Sequence, residues 1–176
     1  MPITYATAES CRYVTVEQLR PILGVLTTIT WPCPAEAIPD IINRLGWTLT
    51  SDRVHVMADT HLPLNRTVGD FARPPGELRE LNFPVSDTVD EADAAGVIAV
   101  KESFTAVSRI VESLLGSESG HADGINPQMW WDLDTGGRIR LDSITIRLQA
   151  RLVSKLDADV ERFEETHDMS QFHDEE

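Results

Sequence analysis

The sequence predicts an α+β fold in which a mostly antiparallel sheet carries helices packed on one face. Three observations lead there. The stretch Trp130–Val153 (WWDLDTGGRIRLDSITIRLQARLV) alternates apolar and polar residues with a period of two, as strands do when one face is buried and the other wet. Extended pattern also covers Trp47–Leu49, Arg53–Met57 and Glu77–Val85. Between these regions Val97, Val100, Phe104, Val107, Ile110, Val111 and Leu114 recur at helical spacing, the stripe of one long amphipathic helix. Runs of strands separated by helices, without strict alternation of the two, belong to the α+β class.

Taken in order, residues 1–12 carry little pattern and are expected to be an irregular arm. Thr15 and Gln18 have capping-box spacing, so a helix should start there and run to about Leu23, with Pro21 and Gly24 working against it. Trp31-Pro32-Cys33-Pro34 breaks the chain. A second helix is expected over Ala35–Leu45, with Ile38, Ile41, Ile42 and Leu45 as its apolar stripe and Gly46 as its stop. Trp31 and Trp47 read as core anchors. Ala58–Gly76, rich in Pro and Gly, reads as a long loop, and ordered loops of that length tend to be functional. Pro84 marks an edge or the end of the following strand. Thr88-Val89-Asp90-Glu91 offers a second capping box for the long helix, which Gly96 could bend and Gly116 ends.

Within Trp130–Val153, a hairpin loop at Thr135-Gly136-Gly137 would set Asp134 opposite Arg138, Asp132 opposite Arg140 and Leu133 opposite Ile139. A turn at Asp142-Ser143 would start a third strand with Ile144, Ile146, Leu148, Ala150 and Leu152 inward. Trp131 falls on the core side and Trp130 on the other. An acidic helix is expected after Val153, with Leu156, Val160 and Phe163 inward, and residues 168–176 should form a frayed tail.

With 176 residues the chain fits one domain spanning 1–176. Its net charge of −14, from 15 basic and 29 acidic residues, argues against nucleic acid and against anionic membrane as partners. It suits either solubility or steering toward a basic protein. No apolar run approaches the roughly 20 residues of a membrane helix, and the start lacks the pattern of a signal peptide, so a cytoplasmic protein is expected. Cys11 and Cys33 fit reduced thiols.

Sites of chemistry are sparse. No phosphate loop, nucleophile elbow or dinucleotide fingerprint occurs, and Asp134-Thr135-Gly136 is accounted for by a turn. His55, Asp59 and His61 are close in sequence, yet no second cluster completes a metal's coordination sphere. No cofactor, no metal and no catalysis are expected.

Several local features taken together carry a resemblance. They are Trp31-Pro32-Cys33 ahead of a helix ending in Leu45-Gly46-Trp47, a long helix ending in Leu114-Leu115-Gly116, the Trp130-Trp131 strand, and the strands Arg138-Ile139-Arg140-Leu141 and Ser143-Ile144-Thr145-Ile146. This layout, from about Val14 to Val153, resembles the actinobacterial polymorphic-toxin immunity proteins, the group that includes the immunity factor for the tuberculosis necrotizing toxin, an NAD-glycohydrolase. The resemblance implies a cytoplasmic antitoxin that occludes a cognate toxin in a one-to-one complex. A chaperone-like adaptor for an exported protein, or a small enzyme with an unrecognised site, are the alternatives. The resemblance assigns no contact residues. Physical reasoning selects acids and an aromatic on projecting segments: Asp59, Asp70 and Phe71 in the expected loop, and Asp87, Asp90, Glu91 and Asp93 ahead of the long helix.

Overall fold

The computed structural model of the chain describes residues 6–8, 11–53, 55–74 and 76–167. The expected irregular arm is partly strand: β1 (Ala6–Ala8) pairs with β2 (Cys11–Tyr13), and Tyr13 bridges to Ser86. Residues 1–5, 9 and 10 of that arm, and the expected tail 168–176, lie outside the described residues. Helix α1 (Val16–Leu26) starts as its capping box requires. The Thr15 hydroxyl accepts from the Gln18 N–H, and the Gln18 side chain accepts from the Thr15 N–H. A 3-10 turn over Ala35–Ala37 leads into α2 (Ile38–Leu45), which buries Ile38, Ile41 and Ile42 and closes at Gly46.

An eight-stranded antiparallel sheet follows. Its order is β4 (Thr48–Asp52), β5 (Val56–Asp59), β6 (Val68–Ala72), β8 (Glu80–Pro84), β12 (Arg147–Val153), β11 (Arg138–Ile144), β10 (Gln128–Asp132) and β9 (Gly120–Ala122). A separate two-stranded ribbon joins β3 (Cys33–Pro34) to β7 (Glu77–Leu78). Two meanders therefore meet at β8 and β12. Helix α3 (Ala94–Leu115) carries the chain from the centre of the sheet to its far edge.

The two-residue period puts apolar rows in register across this sheet. Val56, Phe71, Leu81, Leu152, Ile139 and Trp131 line up from β5 to β10, and all are buried. Phe83, Ala150, Leu141 and Met129 form the next row. Helices α1, α2 and α3 cover this inner face, giving the α+β domain that the sequence predicts. Burying each large apolar side chain here contributes roughly 1.5–3 kcal/mol. Trp47 and Trp131 are core anchors, with Trp47 edge-on to Phe71 and Phe83.

Several expectations need correction. Ala58–Gly76 is not one long loop, because β6 lies inside it and Leu62 and Leu64 are buried in its connection to β5. Gly69 reads as a loop residue, but a Cβ at that position would stand 2.9 Å from the Trp47 ring, so the strand needs glycine where the indole packs. Helix α3 is capped by Asp93, whose carboxylate accepts from the Gly96 N–H, and not by Thr88. Thr88 is held in the preceding loop by two bonds with the Asn65 side chain. Gly96 does not divide the helix, which runs unbroken through Ala94–Leu115.

The last hairpins also shift. The Leu133 N–H donates to the Gly137 carbonyl across the loop Asp134-Thr135-Gly136, so Asp132 faces Arg138 and Trp131 faces Ile139. A three-residue hairpin loop wants its third residue at positive φ, and Gly136 has φ 94°. The slide is two residues, so every side chain keeps its expected face. The next turn is Thr145-Ile146, not Asp142-Ser143, which stay buried within β11. Ile144 consequently points outward and is exposed.

Candidate functional site: the outer face of the sheet

The outer face is polar in every row, and its two halves are built differently. One half, over β10 and β11, is covered by α4 (Lys155–His167). Ser154 starts this helix by accepting from the Asp157 N–H. Its apolar stripe was expected inward, and the structure reverses it: Leu156, Val160 and Phe163 are 54%, 51% and 56% exposed. What turns the helix over is charge. Arg138, only 1% exposed, bonds to Asp132 at 2.8 Å, to Glu161 at 2.9 Å and to Glu165 at 2.5 Å. Arg140 takes the other Glu161 oxygen at 2.8 Å, Arg162 reaches Asp132 and the Gly136 carbonyl, and Asp157 pairs with Arg79. A guanidinium buried without carboxylates would cost several kcal/mol, so the acids of α4 must face the sheet. Ala158 is small enough to let the helix approach, and it is fully buried.

Titration behaviour follows from the same contacts. Burial works to raise the Asp132 carboxyl, but hydrogen bonds and charge from Arg138, then Arg162, hold it below the usual carboxylate range. The Asp157 carboxyl is lowered chiefly by its hydrogen bond from Arg79. Trp130, on the outer face as expected, lies beneath this helix edge, with the Arg138 guanidinium 5.4 Å from its ring centroid.

The stripe of α4 continues into an apolar pocket of about 220 Å³ at the helix start. Trp31, Pro32, Leu78 and Leu156 supply its apolar walls, and Glu77, Asp159, Arg79 and Lys155 bring charges of both signs to its rim. Stripe and pocket together make an exposed apolar surface with a charged rim, the composition of a protein-docking site.

The other half, over β6, β8 and β12, is open. Asp70, Asn82 and Arg151 stand in one row, each opposite the next. Arg151 is shared between Glu80 at 3.2 Å and Asp142 at 3.4 Å. Beside this row lies a cleft of about 540 Å³ lined by Arg66, Val68, Asp70, Asn82, Phe83, Pro84, Thr88, Ile146, Arg147 and Gln149. Arg147 Nη2 donates to the Gln149 side chain, while Arg147 Nε, Asn82 Oδ1 and Thr88 Oγ1 are buried atoms with no hydrogen-bond partner.

Of the residues selected from sequence, Asp59 and Asp70 reach this open face. Asp59 accepts from the His61 N–H, which lowers its carboxyl pKa, and Asp70 lies 3.3 Å from His55 Nδ1. Asp90 and Glu91 are exposed in the loop before α3. The other three are structural. Phe71 is fully buried against Trp47, because a strand and not a loop carries it. Asp87 is buried and holds Arg12 and the Asn65 N–H, and Asp93 caps α3. Sequence reasoning missed Arg66, Asn82, Thr88, Arg147 and Gln149. Their alternation with Leu81, Phe83 and Leu148 was visible, but their convergence depends on strand pairing.

No chemistry of the nucleophilic kind is assembled at the thiols: burial pushes both Cys11 and Cys33 upward. Among the described residues, no group of three His, Cys, Asp or Glu side chains is placed to hold a metal ion. No helix among them is long and apolar enough to cross a membrane.

No curated protein and no solved structure matches the chain. A family model does match, over residues 17–154, a span that holds the whole eight-stranded sheet and the cleft and stops before α4. The chain belongs to that family, described as a family of unknown function, DUF6301.

Proposed function

We propose that this chain is a non-catalytic immunity protein that binds a basic, NAD-cleaving toxin one-to-one and occludes its active site in the cytoplasm of the producing cell. The observation that carries the binding part is the outward apolar stripe of α4, Leu156, Val160 and Phe163, set among acids in a chain of net charge −14. A helix held down by its polar face leaves its apolar face to a partner. The surrounding carboxylates raise the association rate with a cationic surface, and the apolar residues slow dissociation. The toxin's chemistry rests on the resemblance of the sequence to polymorphic-toxin immunity proteins.

The test is co-expression with the product of the neighbouring gene, reading survival and cellular NAD. Protected NAD together with a one-to-one complex supports the proposal. The variant Leu156→Ser/Val160→Ser/Phe163→Ser should remain folded and lose both protection and the complex. If the two proteins bind while NAD collapses, inhibition is wrong and the chain acts as an adaptor for an exported protein. If the triple variant protects as well as the unaltered chain, α4 is not the docking surface.

A further inference from the structure

The open cleft carries an inference that does not depend on the toxin. In a chain of net charge −14, its lining holds two arginines, Arg66 and Arg147, against one carboxylate, Asp70. Neither arginine makes an ion pair among the described residues, whereas Arg138, Arg140, Arg151 and Arg162 on the same face of the molecule all do. Around these two cations lie polar atoms left open: Arg147 Nε as a donor, Asn82 Oδ1 as an acceptor, and Thr88 Oγ1 as either. An unmade hydrogen bond at a buried atom costs about 1–3 kcal/mol, so three at one cleft mark a place where a polar molecule is the missing partner.

The walls are set in advance. Asn82 and Gln149 lie on central strands, and Gln149 is 93% buried by its 7% exposure. Thr88 is held by reciprocal bonds with Asn65, at 2.7 and 2.8 Å. Rigid groups of this kind lose little entropy when a ligand arrives. The volume, about 540 Å³, falls in the range of small-molecule sites and exceeds what a simple inorganic ion needs.

We propose that this cleft binds a small oxyanion bearing hydroxyl groups, of the sugar-phosphate or sugar-acid class. Arg66 and Arg147 hold the phosphate or carboxylate, the latter through its free Nε. Asn82 Oδ1 and the Asp70 carboxylate accept from the hydroxyls, and Thr88 completes the ring of contacts. Val68 and Ile146 give the carbon skeleton an apolar wall.

The experiment is a titration of the full chain, isotopically labelled, at low salt, following the side-chain amide signals of Asn82 and Gln149 by NMR. The probes are ribose 5-phosphate, glucuronate, inorganic phosphate and ribose. Saturable shifts of both amides by ribose 5-phosphate or by glucuronate, with dissociation constants below about 1 mM, are expected, and the stronger of the two names the oxyanion. Ribose alone should shift neither. Arg147→Gln should weaken binding at least about tenfold. Arg66→Gln, a change on an exposed connection that leaves the fold untouched, should do the same. Inorganic phosphate binding as tightly as ribose 5-phosphate would overturn the role given to Asn82 and Asp70. Shifts that persist in both arginine variants would overturn the site. So would a cleft that takes none of the probes, and a toxin complex weakened by Arg66→Gln would then assign the arginines to the protein interface.

Discussion

Over β10 and β11, the outer-face arginines Arg138 and Arg140 meet carboxylates delivered by α4, while on β12 Arg147 donates to the Gln149 amide and makes no ion pair among the described residues. The inner faces of these two halves do not differ in this way. Both belong to one continuous buried core, and one row runs through both halves from Val56 to Trp131. The comparison teaches that the fold's stability and its recognition chemistry sit on opposite sides of one sheet. Where a charge on the outer face is answered within the chain, the surface becomes structure. Where it is left unanswered, the surface is available to a ligand.

The largest expected effects test the sameness of the inner face. Phe71→Ala, beneath the open half, should destabilise the fold by about 3–5 kcal/mol and Ile139→Ala, beneath the covered half, by about 2–5 kcal/mol, measured by urea unfolding. Both side chains are buried, at 0% and 2% exposure, and both lie in the same transverse row. A small effect at Phe71 would restore it to the role of surface anchor that its sequence context suggested, and would break the comparison at its base.

The outer face should then separate the halves. Arg138→Ala removes the one cation that Asp132, Glu161 and Glu165 share, and should cost about 3 kcal/mol in the same assay. Asn82→Ala, on the open half, removes an acceptor that has no partner and one part-buried bond from Nδ2 to Glu80, and should change stability by no more than about 1 kcal/mol. Equal losses at the two positions would mean that the open half is held together as the covered half is, and the cleft would lose its claim to be a site.

Legibility in the sequence follows the same divide. The inner face could be read from residues alone, because a period of two survives any even slip in register. The Asp134-Thr135-Gly136 loop moved the pairing by two residues and every side chain kept its side. The start of α1 was equally legible, since a capping box is local. What could not be read depends on partners distant in sequence. The orientation of α4 follows from Arg138, which lies 23 and 27 positions from Glu161 and Glu165, so local amphipathicity pointed the wrong face inward. Phe71 was misplaced because glycine and proline around it mark a loop, and the packing of Trp47 on Gly69 is invisible before folding. The cleft needs Asp70, Asn82 and Gln149 from three strands brought together by pairing.

Acid supplies the smallest effect and the one most specific to the covered half. The folded-state carboxyls of Asp132 and Asp157 are both held below their ordinary values, near 3.9 in an unfolded chain. A group with a depressed folded pKa stabilises the fold above the unfolded value, and that contribution is lost as pH falls through the folded one. The window therefore opens at about pH 4 and extends downward. Both side chains are about a third exposed, at 35% and 36%, so water screens the pairs and each contributes no more than about 1 kcal/mol. Loss of both ties should loosen α4 before the sheet beneath it. Hydrogen exchange at pH 5 and at pH 3 should show the amides of Lys155–His167 losing protection relative to those of β8 and β12. The freed helix also uncovers Arg138 and Trp130, so tryptophan emission should shift red over the same interval. If α4 and the central strands lose protection together, the salt bridges are not what holds the helix to the sheet. Its reversed orientation would then need another cause.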